Sequence, residues 1–157
     1  MMNPKSVAES RAEQVQILMP EHINGYKRLF GGKLMEWIDV VAAVVARRHA
    51  GTNVTTVAVD NLEFKAPAFV NDLVVLYGCI TYVGRTSMEV KVDTFVEAMD
   101  GTRKRINRAY LVLVAIDDEN KPTPVAPLIL EDDAQRHEWE NGVKRNELRK
   151  LRRTEKF

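Results

Sequence analysis

Apolar positions change rhythm along the chain, and the changes mark its elements. Residues 33–49 form a run too long for a buried strand and rich in Ala, Leu, Met and Val, which predicts a helix. Phe30-Gly31-Gly32 interrupts regular structure ahead of it. Gly51 stands where a C-terminal cap belongs, with Arg47, Arg48 and His49 complementing the negative end of the helix dipole. Leu34, Met35, Trp37, Ile38, Val40, Val41, Val44 and Val45 leave this helix apolar on most sides, so it should be wrapped by other structure. Residues 53–64, 72–83, 86–98 and 103–116 supply the wrapping. Each is rich in Val, Thr, Ile, Tyr and Phe, and turn-forming Ala66-Pro67, Gly84-Arg85 and Asp100-Gly101 separate them. Residues 15–19 read as a shorter strand closed by Pro20. Residues 88–93 alternate strictly between apolar and charged, which predicts one wet strand face. The expected architecture is α+β: one domain with a long central helix wrapped by an antiparallel sheet of about five strands.

The rhythm fades after residue 117. An extended, proline-rich stretch leads to Pro127, and residues 134–156 predict a second helix with sparse apolar positions (Trp139, Val143, Leu148, Leu151). Its final half carries Lys144, Arg145, Arg149, Lys150, Arg152 and Arg153. Such a run reads either as a solvated tail, the commoner case, or as a basic element near an anionic ligand's phosphates. The expected division is a folded domain over residues 10–130 and a charged helical extension over 131–157.

Composition narrows the class. A chain of 157 residues with 45% hydrophobic and 29% charged residues can bury a core without staples. A net charge of +1 gives no general reason to expect nucleic acid as a partner. The single cysteine, Cys79, lies in an apolar run, reads as buried filler and suits a reducing compartment. The N-terminus lacks the apolar core of a signal peptide, and no stretch approaches the roughly 20 apolar residues that span a bilayer. The expectation is a cytoplasmic protein in solution, away from membranes.

Asp39 is the unusual position, a carboxylate in the middle of a helix expected to be buried. Two readings stay open on the residues alone. Lys33, Glu36 and Asp39 step along the helix at i, i+3 spacing, so Asp39 could close an exposed edge; or it could be a functional acid. Gly31-Gly32 at the helix start would let a ligand approach free N–H groups at the positive end of the dipole, a site for an oxyanion. Asp39 stands about 10–12 Å further along the axis, far for one carbonyl to touch both within a chain. A residue supplied by a second subunit would close that gap. His22, His49 and His137 have no metal-ligand spacing, and neither a nucleophile elbow nor a phosphate-binding loop of the Walker type is present.

The run from Asn24 to Asp39, N-G-Y-K-R-L-F-G-G-K-L-M-E-W-I-D, resembles that of hotdog-fold acyl-CoA thioesterases of the bacterial and brain acyl-CoA hydrolase type. The resemblance continues through Thr55-Thr56-Val57-Ala58-Val59-Asp60, with Phe64 and Pro67, through Val83-Gly84-Arg85-Thr86-Ser87-Met88, and into Pro124-Val125-Ala126-Pro127 and the terminal helix. It covers nearly the whole chain. It implies hydrolysis of acyl-CoA to a free fatty acid and CoA, with no cofactor, since CoA is part of substrate and product. It implies a homo-oligomer, a dimer as the minimal unit assembled into a hexamer, with active sites at the dimer interface. Asn24 of one subunit would then meet Asp39 of the other. The thioester carbonyl would sit on the N–H of Gly32 and Gly31, and Asp39 would act as general base or as nucleophile. Arg85, with Thr86 and Ser87, would hold the phosphates of CoA, and Lys65 is a weaker candidate. One departure concerns Lys27, where family members usually carry glycine, so the loop bearing Asn24 is expected to differ.

Two other functions compete. A hotdog dehydratase needs a histidine beside the helix acid, and neither His22 nor His49 is placed for it. A non-catalytic acyl-CoA binding or sensing module is the alternative from a different class.

Overall fold

The computed structural model describes residues 2–157. In chain order the elements are β1 (Lys5–Ser6), β2 (Ala12–Ile17), α1 (Gly31–Ala50), β3 (Asn53–Phe64), β4 (Leu73–Val83), β5 (Ser87–Glu97), β6 (Arg103–Ile116), β7 (Leu128–Ile129) and α2 (Asp133–Glu155). Five strands form an antiparallel sheet in the order β2-β4-β5-β6-β3. β1 and β7 pair in parallel over two residues, a contact between segments far apart in the chain with no local sequence signal.

α1 lies across one face of the sheet. Leu34, Ile38, Val41 and Val45 point down from it, and Leu76, Ile80, Val90 and Leu113 point up from the strands, all nearly inaccessible. Each such side chain contributes on the order of 1.5–3 kcal/mol by leaving water. The approach is close because of Gly78: a Cβ there would stand 2.7 Å from Val41 Cγ1 and 3.1 Å from Val45 Cγ2. Gly51, at φ 68°, ends the helix with its N–H on the Arg47 carbonyl. At that end His49 is fully buried and donates Nε2–H to the Ala126 carbonyl at 2.7 Å, and burial holds its pKa below the usual imidazole value.

The wrapping of α1 is less complete than its composition suggests. Met35, Val40 and Asp39 are exposed in the protomer. β3 ends the sheet on one side, pairing only with β6, and it too leaves Val57, Val59 and Phe64 about half exposed. Apolar surface therefore accumulates around one free strand edge and the helix flank beside it.

The other face of the sheet corrects two expectations. Alternating residues of β5 do point away from α1, but Glu89 and Asp93 are buried rather than wet. Nor is the basic C-terminal segment a solvated tail, because α2 packs over this face. Trp139 lies against Tyr82 with ring centroids 4.7 Å apart, and Gly142 is buried. Charged strand residues can be covered because each finds a partner. Glu89 accepts from Thr81 Oγ1 at 2.7 Å, from Arg145 at 2.7 and 3.0 Å, and from Arg149 at 3.1 Å. Lys91 pairs with Glu138 at 2.7 Å, and Asp93 with Arg108 at 2.6 Å. Removing one partner from such a buried pair costs about 3–5 kcal/mol.

Gly142 sits in the middle of α2, where its intrinsic preference is about 1 kcal/mol worse than alanine. A Cβ there would lie 2.7 Å from Tyr82 Cβ and 3.2 Å from Glu89 Oε1. Gly142→Ala should therefore destabilise the protein by about 1–3 kcal/mol despite its better helix propensity; an unchanged or raised urea midpoint would contradict the close approach of α2. His49 sets a pH dependence. Because its folded pKa is depressed, stability is full above about 6.5 and falls as pH drops, when the unfolded chain takes up the proton more readily. Urea midpoints should decline between pH 7.5 and 5.5, and His49→Gln should flatten that decline.

Candidate active site

The start of α1 is built to leave donors free. Its N-cap residue is Phe30, whose side chain makes no capping hydrogen bond. The first N–H of the helix to reach a protein acceptor is that of Leu34, on the Phe30 carbonyl at 3.1 Å. The N–H groups of Gly31, Gly32 and Lys33 thus remain available at the positive end of the dipole. The glycines also admit two aromatic rings. A Cβ on Gly32 would lie 2.7 Å from the Phe30 ring, and one on Gly31 would lie 3.5 Å from that of Phe64.

Two turns on, the Asp39 carboxylate accepts a hydrogen bond from Thr56 Oγ1 on β3 at 2.7 Å. The i, i+3 ladder is only half formed: Lys33 pairs with Glu36 at 3.0 Å, and Asp39 turns to the strand instead. Asp39 is exposed in the protomer because it faces past the sheet's last strand. It shares a groove of about 350 Å³ with Gly32, Thr56 and the apolar side chains of Met35, Ile38 and Leu111.

Asn24 lies elsewhere. Its Oδ1 accepts from the backbone N–H of Tyr26 at 2.9 Å and of Arg28 at 3.3 Å, leaving the amide NH₂ free to donate. Lys27 takes φ 60°, the left-handed conformation that glycine adopts freely. The chain keeps a glycine-type turn here and bears the strain of a side chain, about 1–2 kcal/mol. Asn24 lines a cleft with Phe64, Pro67 and Lys65. A single protomer therefore does not unite Asn24 with Asp39, and it separates Lys65 from Arg85, Thr86 and Ser87.

A wider cleft, about 710 Å³, contains those last three residues together with Asn146, Lys150 and Arg153 of α2. Arg149 and Arg152 also reach it, but both are tied to Asp60, at 3.1 and 3.4 Å. Arg85, Lys150 and Arg153 form no salt bridge among the described residues, so the cleft carries surplus positive charge. Val59 lines both this cleft and the groove beside Asp39.

Other candidates fall away. Cys79 is half-buried, and burial pushes its thiol pKa up, which disfavours the thiolate. No cluster of three or more metal-ligating side chains occurs among the described residues. Within those residues, no helix is long and apolar enough to cross a membrane. Thr56 was missed in the sequence because a threonine in a β-rich run looks like ordinary strand composition; its place in the Thr55–Asp60 motif was the only available signal.

The architecture and the helix-borne acid define a hotdog-fold protein of the thioesterase class. The thioesterase superfamily matches residues 26–100. Bacillus subtilis YkhA, described as an uncharacterized acyl-CoA thioester hydrolase, is 34% identical over 146 residues, 92% of this chain and 85% of that protein. An acyl-CoA hydrolase from Staphylococcus aureus, solved with butyryl-CoA, CoA and CoA disulfide, superposes with a TM-score of 0.92 at 34% identity, over 97% of this chain and 93% of that one. An apo-hexameric acyl-CoA thioesterase gives the same TM-score and identity over 96% of this chain and 97% of that one. The chain belongs to the thioesterase superfamily, among its acyl-CoA thioester hydrolases. The Staphylococcus aureus enzyme has also been solved with alanine replacing an asparagine, an aspartate or a threonine. That aspartate follows the asparagine by 15 positions and precedes the threonine by 17, the spacings of Asn24, Asp39 and Thr56 here.

Proposed function

We propose that this protein is an acyl-CoA thioesterase that hydrolyses acyl-CoA to a free fatty acid and CoA at a site shared by two subunits. The observation that carries the reading is the Thr56–Asp39 hydrogen bond in an apolar groove that also holds Gly32. Thr56 occupies Oδ1 of Asp39 and orients the carboxylate, leaving Oδ2 to take a proton. The thioester carbonyl lies on the free N–H of Gly32, assisted by Gly31, and each such donor stabilises the developing oxyanion by roughly 3–4 kcal/mol. A water oxygen attacks the carbonyl carbon as its proton passes to Asp39. The C–S bond then breaks, and the departing thiolate takes the proton from Asp39. No cofactor enters this scheme.

The partner is a second copy of the chain. β3 offers a twelve-residue free edge carrying Val57, Val59 and Phe64, an arrangement that invites strand pairing about a two-fold axis. Such a dimer brings the partner subunit's Asn24, with its free amide donors, to the site of Asp39. Since related thioesterases are described as hexameric, the full assembly is read as a trimer of dimers. Arg85, Thr86 and Ser87, extended by Lys150 and Arg153, hold the phosphates of CoA in the basic cleft. Lys65, set apart beside Asn24, has a lesser role. The site of action is the cytoplasm, where CoA esters are made and consumed and where a lone half-buried thiol stays reduced.

Asp39→Asn should abolish release of free CoA thiol while leaving acyl-CoA affinity within a few-fold of wild type. Activity within a few-fold of wild type would remove Asp39 from the mechanism, and binding without turnover by the wild-type protein itself would favour the sensing alternative. The shared site has its own test. Asn24→Ala and Asp39→Asn chains, unfolded and refolded together, should recover up to about a quarter of wild-type activity, because each mixed dimer rebuilds one intact site. Activity no higher than the mean of the two variants refolded separately would place each site within one chain.

A further inference from the structure

Asn107 is a polar side chain in the middle of the apolar face of the sheet. It is 0% exposed and shares its side of β6 with Ala109, Leu111 and Leu113, which point toward α1. Its Nδ2 donates to the Glu63 carbonyl of β3 at 2.5 Å, while its Oδ1, equally buried, meets no donor among the described residues. A buried oxygen without a partner lowers stability, so packing alone does not account for an asparagine here. What the residue secures is the end of β3. That strand leaves regular pairing between Asp60 and Glu63, where Asn61 takes φ 56°. Pairing resumes with Glu63 opposite Arg108 and Phe64 opposite Asn107, and the Lys65 N–H then reaches the Ile106 carbonyl at 2.8 Å. Asn107 thus fastens the first residue that is paired again after the irregularity.

The next residue is Phe64, whose ring stands 3.5 Å from the place a Cβ on Gly31 would take. It ties the first turn of α1 to the sheet, whereas the Phe30 ring against Gly32 comes from the turn itself. Phe64 also lines the cleft of Asn24. We propose that Asn107 is a positioning residue for thioester hydrolysis: by anchoring Glu63 it holds the Phe64 ring against Gly31, and so sets where Gly31 and Gly32 direct their N–H groups. The proposal rests on the thioesterase reading and deepens it, since Asn107 touches no reacting atom. An oxyanion donor misplaced by about one ångström lowers turnover by up to about a hundredfold. Affinity held by contacts remote from the carbonyl is left largely unchanged.

The test measures thiol release from acyl-CoA by wild type, Asn107→Ala, Phe64→Ala and the double variant, with urea midpoints alongside. Asn107→Ala removes the unpartnered oxygen together with the donor, so the chain should stay folded. Its kcat should fall about tenfold to a hundredfold, with KM within about threefold of wild type. Because Asn107 acts through Phe64, the double variant should turn over no more slowly than Phe64→Ala alone. A residue that only supports the fold would lower the urea midpoint and leave kcat of the folded protein within about twofold of wild type. That result overturns the proposal, as does a double variant whose losses multiply. Asn107→Asp gives a second reading that does not depend on the alanine variant folding. A carboxyl buried at this place stays protonated at acid pH and keeps a donor for the Glu63 carbonyl. Its kcat relative to wild type should therefore be highest at acid pH and fall as the proton is lost; a ratio that does not fall overturns the proposal and leaves the thioesterase reading standing. No thiol release by wild type overturns both.

Discussion

The close seating of α1 on the sheet is the constraint on which the site depends. It requires that nothing project from position 78, where a side chain would run into Val41 and Val45. With the helix held there, Asp39 comes within hydrogen-bonding distance of Thr56 on the last strand, and the uncapped Gly32 opens onto the same groove. A shift of about one ångström in that seating would part the acid, which rides on α1 with the oxyanion donors, from its orienting hydroxyl on β3. The core of the domain and the geometry of its chemistry are therefore one packing problem.

On the opposite face the same sheet solves a different problem. Its outward residues on β5 are charged, yet α2 covers them. The cover holds because Glu89 is surrounded by Thr81, Arg145 and Arg149, with the Arg145 guanidinium 3.7 Å above the Tyr110 ring. Arg149 bridges Glu89 to Asp60 on β3, tying the terminal helix to the strand that also carries Thr56. The arginines nearest the sheet are consumed in this way, and the surplus charge of Lys150 and Arg153 faces the cleft beside Arg85. One helix thus fastens the outer face and supplies the basic wall of a ligand cleft.

How much of this could be read from the residues differs by element. The four long strands and α1 were legible to within two residues, because β-branched runs between turn residues and a long Ala/Leu/Met run leave few alternatives. β2 starts three residues earlier than its apolar run, at Ala12, since an edge strand tolerates Glu13 and Gln14. The β1–β7 pairing could not be read, because two-residue contacts between distant segments have no local pattern. The strict alternation of residues 88–93 correctly showed two faces, but alternation reports polarity and not cover. The buried Glu89 and Asp93 became visible only with their arginines in place.

By itself the sequence determined the α+β class, the central helix, the acid within it and the paired glycines ahead of it. These follow from local preference and spacing, which a linear chain states directly. It also carried, through its motifs, the kind of reaction to expect. Only the tertiary structure decided that Thr56 orients Asp39, that Asn24 and Asp39 occupy separate clefts of one protomer, and that α2 is a docked cover. Each of these is a contact between residues far apart in the chain. Such contacts are settled by how closely helix and sheet can approach and by which buried charges find partners, and neither is a property of any one segment.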